Sequence, residues 1–341
     1  MTDKEVLRVE NLSVTYGKKR RRTYAVQDVS FVLNSGETLG IVGESGCGKT
    51  TVAMSLMGLL DSNTHVKGTL HIAGEHYDLS KMSYKKWRAL RGDAISMVFQ
   101  DSLASLNPLK RVGEQIAEAI YIKKKMSKKA ARAQALELLR LVEIPEPEAR
   151  FRQYPHECSG GMRQRVMIAM ALANNPAVLV CDEPTTALDV TVQAQVLETI
   201  KRLQDTLGMA VVLVTHDLGV INAVTDNVQV MYAGKLVETG TTSEILDQPY
   251  HPYTNALMEA MPDLGTQRGV LHSIPGVPPT LGQEFDWCPF VARCTYATKE
   301  CDEAMPSLDT LRSKEASLNP DEHKVACYHP VVLSHKKEGV S

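Results

Sequence analysis

One stretch constrains this chain more than any other. Gly43-Glu44-Ser45-Gly46-Cys47-Gly48-Lys49-Thr50 follows the short apolar segment Leu39–Val42 and precedes a segment, Thr50–Leu59, with the composition of a helix. The pattern G-x-x-x-x-G-K-[ST] at a strand-to-helix turn suits a polyphosphate. Its glycines let the backbone wrap closely and aim amide N–H groups at phosphate oxygens. The following helix adds the positive end of its dipole. Lys49 is placed to bridge the β- and γ-phosphates and Thr50 to bind Mg2+.

Further along, the apolar run Ala177–Cys181 ends in Asp182-Glu183. An acid closing a core strand reaches the Mg2+ that Thr50 holds, and the next acid is placed to polarise an attacking water. Taken alone, the two carboxylates could equally cap a turn at Pro184; the loop at Gly43 decides for chemistry. His216 follows the strand Val211–Thr215, at the strand end where parallel sheets bind ligands, and is expected near the γ-phosphate. Gln100 closes the apolar stretch Ile95–Phe99 and offers a neutral amide to metal or water.

Ser159-Gly160-Gly161 opens a helix, Met162–Ala173. Ser159 is a good N-cap, and the glycines bare the backbone amides of a positive helix end. This second anion site has no lysine or metal-binding acid of its own. A complete phosphate loop and a bare anion site on one chain imply head-to-tail pairing, each protomer completing the other's site.

Alternating strands and helices predict an α/β fold with a largely parallel sheet. Residues before the loop alternate in polarity as half-buried strands do (Val6, Arg8, Glu10; Val26, Val29, Phe31, Leu33), with the basic run Lys18–Arg22 read as a solvated hairpin tip. Helical spacing over Val112–Ile122 and Lys129–Val142 predicts an inserted helical subdomain at about 101–157. After Asp247 the texture changes and proline-rich segments appear, so residues 1–247 read as one domain and 248–341 as an irregular extension. With 43% hydrophobic residues, 23% charged and a net charge of -2, nothing in the balance favours nucleic acid as a partner. Apolar runs are far shorter than the roughly 20 residues of a membrane-crossing helix, and Met1–Glu10 lacks a signal-peptide core. The chain is expected in the cytoplasm, reaching a membrane through partner proteins.

Cys288, Cys294, Cys301 and Cys327 cluster near the end in the spacing C-x5-C-x6-C-x25-C. Four thiolates are what a [4Fe–4S] cluster requires. Zinc also takes four, usually from closer C-x2-4-C pairs, and unligated or oxidised cysteines are the remaining alternative.

In this order the motifs resemble the nucleotide-binding subunit of an ABC transporter over about Leu7–Gly240. They comprise the loop Gly43–Thr50, Gln100, the signature Cys158-Ser159-Gly160-Gly161-Met162, Asp182-Glu183, the Ala187-Leu188-Asp189 loop and His216. The resemblance implies a RecA-like P-loop NTPase core with an antiparallel β subdomain. It implies adenine stacking by Tyr16, ATP contacts from Gly43 through Thr51 and at Asp189, and a Mg2+ site of Thr50, Gln100 and Asp182. Cys158 stands where leucine or phenylalanine is usual, and Met162 where glutamine is common; neither alters the Ser159–Gly161 contacts. Gln100–Pro108, Ser159–Arg165, Glu183–Gln193 and His251–Thr254 resemble the D-type ATPase of oligopeptide and dipeptide importers. That family implies a related F-type ATPase partner, two permeases, an extracytoplasmic substrate-binding protein, and in some members a cluster-binding extension. A nickel or glutathione importer, or an ABC ATPase outside transport, are the competing readings.

Overall fold

The computed structural model describes residues 5–17, 22–186, 188–260, 274–279, 282, 284–310 and 323–331. Residues 18–21 of the basic run and Ala187 lie outside the described residues.

Two sheets organise the chain. Strands β1 (Glu5–Tyr16), β2 (Thr23–Asn34), β4 (Thr64–Ile72) and β5 (Glu75–Asp78) form an antiparallel sheet in the order β2-β1-β4-β5. The inward face of β1 is Leu7, Val9, Leu12 and Val14, all buried, while Val6, Arg8 and Glu10 are only partly covered. The change of parity between Val9 and Leu12 occurs at a bulge where Asn11 takes φ +53°. An extra residue inserted in one strand flips which side chains face inward.

The larger sheet begins with β11 (Asp309–Thr310), β12 (Lys324–Val325) and β10 (Lys235–Thr241) and continues into its parallel centre. Its centre is parallel: β9 (Asn227–Tyr232), β3 (Thr38–Val42), β8 (Ala210–Thr215), β7 (Val178–Asp182) and β6 (Ile95–Val98). Strands β3, β6, β7 and β8 are buried along their whole length. Burial on both faces explains why they read as short apolar runs without alternation. One face packs against the antiparallel sheet through Leu39, Ile41, Val180 and Val212, with Val52 and Leu56 of the helix Lys49–Met57 in the same core. The other packs against Gly160–Ala171, Val190–Leu207 and the helical subdomain, Val112–Lys124 with Lys128–Leu141. Ser127 caps the second of these subdomain helices by accepting from the amide of Ala130.

Beyond Asp247 the described residues are more ordered than the sequence texture predicts. Helix Pro252–Glu259 is capped by the His251 side chain, and the two-residue strands β11 (Asp309–Thr310) and β12 (Lys324–Val325) extend the main sheet past β10 (Lys235–Thr241). Strands this short carry no periodic signal. Their pairing comes from the edge that β10 exposes. Glu238, with no exposed surface, accepts from the amides of Tyr250 and His251 and pairs with His323 Nε2 at 2.8 Å. One buried carboxylate therefore ties the extension to the sheet.

Candidate active site

The C-terminal ends of the parallel strands deliver the predicted residues to one place. Strand β3 runs into Gly43–Gly48, and the helix Lys49–Met57 starts there. Gly48 sits at φ +109°, and a Cβ on it would come within 2.4 Å of the Ala25 carbonyl. Only glycine fits that turn. Lys49 is buried, its Nζ donating to the carbonyls of Gly43 at 2.7 Å and Glu44 at 2.9 Å. Cys47 is buried beneath the loop; burial pushes its thiol up, partly offset by the charge of Lys49.

Strand β7 brings Asp182 next to the start of that helix. Thr50 Oγ1 donates to Asp182 Oδ1 at 3.1 Å. Burial raises the Asp182 carboxyl above its ordinary value, although the Thr50 hydroxyl works against that. A hydroxyl and a carboxylate side by side, Asp182 buried and Thr50 exposed, fit the oxygen preference of Mg2+.

Glu183 takes φ +45°, and its amide is fixed to the Val214 carbonyl at 2.9 Å. That turn aims its carboxylate at three donors. Oε2 accepts from Gln100 Nε2 and from Thr186 Oγ1, each at 2.9 Å, and Oε1 lies 3.0 Å from His216 Nδ1. Burial pushes this carboxyl up, but the bonds from His216 and Thr186, with the charges of His216 and Lys49, outweigh it and hold it below its ordinary value. The site therefore pairs a buried, raised Asp182 with an ionised Glu183. Gln100 reaches it from the end of β6 and His216 from the end of β8.

Tyr16, at the end of β1, places its hydroxyl 3.3 Å from Thr51 Oγ1, so its ring lies beside the same helix. Ser45 and Gly46 complete the loop turn. The signature stands on other elements. Ser159 caps Gly160–Ala171 by accepting from the Met162 amide at 3.3 Å. A Cβ on Gly161 would approach Val192 Cγ1 to 2.5 Å, which keeps this helix close against Val190–Leu207. Asp189 caps that second helix through the Val192 amide at 3.0 Å. Cys158, buried, receives no bond that ties it to the phosphate loop; its thiol faces Gln153 and the Tyr154 carbonyl among the described residues.

Three contacts had no counterpart in the sequence reading. Thr186, the hydroxyl three residues after Glu183, could have been found as a local i, i+3 partner. Tyr253 and Arg293, which both hold Glu44, lie more than 200 positions away and leave no local trace.

All seven cysteines are free. Cys288, Cys294, Cys301 and Cys327 line one small, largely apolar cavity of about 10 Å3, together with His251, Phe290 and His329. Desolvation raises the Cys288 thiol to about 11 and the Cys327 thiol to about 12. Backbone amides work in the opposite sense: those of Phe290 at Cys288, Tyr296 at Cys294 and His329 at Cys327 favour the thiolates. The Thr298 hydroxyl lies 3.7 Å from Cys301 Sγ. Among the described residues no three His, Cys, Asp or Glu side chains form a group that could hold a metal ion. A single zinc ion needs sulfurs about 2.3 Å from one centre, whereas an iron–sulfur cluster spreads its thiolates over several irons.

A glycine-rich loop, an acid pair at a neighbouring strand end and a separate signature helix define a P-loop ATPase of the ATP-binding-cassette class. Residues 26–186 match the family described as ABC transporter, and 237–301 match the oligopeptide/dipeptide transporter C-terminal region. The chain is 48% identical to the dipeptide transport ATP-binding protein DppD of Bacillus subtilis, over 95% of this chain and 94% of that one. It is 46% identical to the oligopeptide transport ATP-binding protein OppD of the same organism, over 94% and 91%. The structure resembles the dimeric ATP-binding cassette MJ0796 bound to ADP and Pi, with a TM-score of 0.62 and 29% identity, over 70% of this chain and 99% of that one. The chain belongs to the ABC transporter family, in the branch of oligopeptide and dipeptide transporter ATPases. Among the described residues, no helix is long and apolar enough to cross a membrane.

Proposed function

We propose that the chain hydrolyses ATP to power peptide import across the cytoplasmic membrane, bound peripherally to permease subunits that a substrate-binding protein supplies. The observation that carries this reading is the convergence of Thr50 with Asp182, and of Glu183 with Gln100 and His216, beside the Gly43–Thr50 loop. The peptide-transport names of relatives aligned over almost the whole chain support the cargo class.

In this reading residues 1–247 form the ATP-binding domain, with its helical subdomain at about 101–157, and 248–341 the extension. Tyr16 stacks on adenine, and Gly43 to Thr51 enclose the phosphates. Thr50, Asp182 and Gln100 hold Mg2+, which when bound neutralises charge on the phosphates. Glu183 orients and deprotonates the attacking water, and its lowered pKa keeps it ionised for that task. His216, held to Glu183, senses the γ-phosphate. Ser159, Gly160 and Gly161 close over the ATP of a second, F-type ATPase subunit, with Asp189 at the joint. The dimeric state named for the structurally similar cassette supports this pairing.

Cys288, Cys294, Cys301 and Cys327 hold a [4Fe–4S] cluster that pins the extension; bound, it supplies covalent cross-links among four thiolates. Anaerobic purification should give a coloured protein with about four irons per chain, and a colourless, iron-free protein would remove the cluster. Uptake of labelled peptides should vanish on deleting the gene and return with the wild-type chain but not with Lys49→Ala. Undiminished uptake in the deletion strain would overturn the peptide reading.

A further inference from the structure

The phosphate loop carries an acid. Glu44 is the second residue of Gly43–Thr50, a segment that must accommodate a triphosphate, and a bare carboxylate there would repel it. The structure meets that charge from the far end of the chain. Arg293 ends the short turn Val291–Arg293, between Cys288 and Cys294, and its side chain is only 3% exposed. Nη1 donates to Glu44 Oε2 at 2.6 Å and Nη2 to Glu44 Oε1 at 3.0 Å, a fork-to-fork pair. The other hydrogens go to the Tyr232 hydroxyl at 3.2 Å, the Pro275 carbonyl at 2.8 Å and the Ile274 carbonyl at 3.1 Å. All of the guanidinium's donors are thereby used. The Glu44 amide donates to the Tyr253 hydroxyl at 2.8 Å, so both the backbone and the side chain of this residue are gripped by the extension. The Glu44 carbonyl meanwhile accepts from Lys49 Nζ.

An ion pair with its guanidinium buried and its carboxylate partly exposed is poor evidence for stability, because desolvation offsets much of its Coulomb energy. Its position gives it another consequence. It cancels a negative charge in the anion-binding loop and fixes the peptide whose carbonyl orients Lys49. We propose that Arg293 is a positioning residue for ATP: by neutralising and holding Glu44, it makes the phosphate loop competent for a triphosphate. This rests on the ATPase reading above and adds to it a control of nucleotide affinity from the C-terminal extension.

The test is equilibrium binding of Mg·ATPγS to the full-length chain. Arg293→Met should weaken binding by roughly tenfold or more, the size expected for one uncompensated charge near a polyphosphate. Adding Glu44→Gln to Arg293→Met should bring the affinity back to within about threefold of Glu44→Gln alone, since no charge then needs neutralising. A merely structural Arg293 would not be rescued by removing Glu44's charge. Binding by Arg293→Met at wild-type strength would overturn the proposal, as would a double variant as weak as the single one. Should Arg293→Met fail to fold, Arg293→Gln replaces it in both the single and the double variant, with the same weakening and the same rescue expected. A wild-type chain that bound no Mg·ATPγS would sink the ATPase reading itself. Wild-type binding with an indifferent Arg293 would sink this inference only.

Discussion

Replacing Glu183 by glutamine changes one charge and almost no volume. In the structure its carboxylate accepts from Gln100 and Thr186 on one oxygen and faces His216 Nδ1 on the other. The glutamine oxygen can serve the first two donors, and its amide can turn to His216, whose ring nitrogen becomes the acceptor in the other tautomer. The fold and the ATP contacts should survive, so the affinity for MgATP should change by less than about threefold. The proton acceptor is lost. General-base contributions of about 10²- to 10⁴-fold correspond to roughly 3–5 kcal/mol of barrier at 1.36 kcal/mol per decade. Turnover by the assembled transporter at saturating MgATP should fall by that factor. Turnover within about threefold of wild type would refute the assignment of Glu183 as base.

The same substitution has a signature in stability. Because the folded Glu183 carboxyl is held below its ordinary value, its ionised contacts stabilise the fold above pH 4.5, the unfolded-state value, and that contribution disappears as pH falls through the lower folded value. The difference in thermal stability between wild type and Glu183→Gln should therefore be constant near neutrality and shrink below about pH 4.5. A difference that grew on acidification would contradict the carboxylate network.

Three further outcomes follow from the geometry. Lys49→Ala should weaken MgATP binding and turnover together by about a hundredfold, checked by titration and steady-state assay, because its buried ammonium has the phosphates as its natural partner. Glu238→Ala should destabilise the docking of the extension by about 3 kcal/mol, since it orphans the amides of Tyr250 and His251 and the His323 ring; hydrogen exchange of those amides should accelerate while the β3–β8 core stays protected. Gly161→Val should abolish turnover and lower thermal stability, because even a Cβ there meets Val192 Cγ1 at 2.5 Å.

The core of this molecule was legible because its chemistry is local. Gly43–Thr50, Asp182-Glu183 and Ser159–Gly161 are short runs at strand or helix ends, and the apolar segments before them became β3 and β7. The β1 register was less legible: polarity alternates, but the bulge at Asn11 decides which set faces inward, and a bulge has no one-residue signature. The extension was least legible. Its order comes from apolar packing of Tyr253, Phe285 and Phe290 on the main sheet and from single long-range contacts, Glu238 with His323 and Arg293 with Glu44, separated by 85 and 249 positions. No window of sequence holds both partners of either pair. The four cysteines announced a site by their number, but not that amides of Phe290, Tyr296 and His329 would point at three of them.

The central claim is that one ATP is gripped by two subunits, through Lys49 of one and the Ser159 turn of the other. A structure of the assembled ATPase pair carrying Glu183→Gln, with MgATP bound, tests it directly. The account predicts Lys49 Nζ and, from the neighbouring subunit, the signature serine and its following amides, each about 3 Å from γ-phosphate oxygens. A closed pair in which every phosphate contact comes from a single subunit would contradict it.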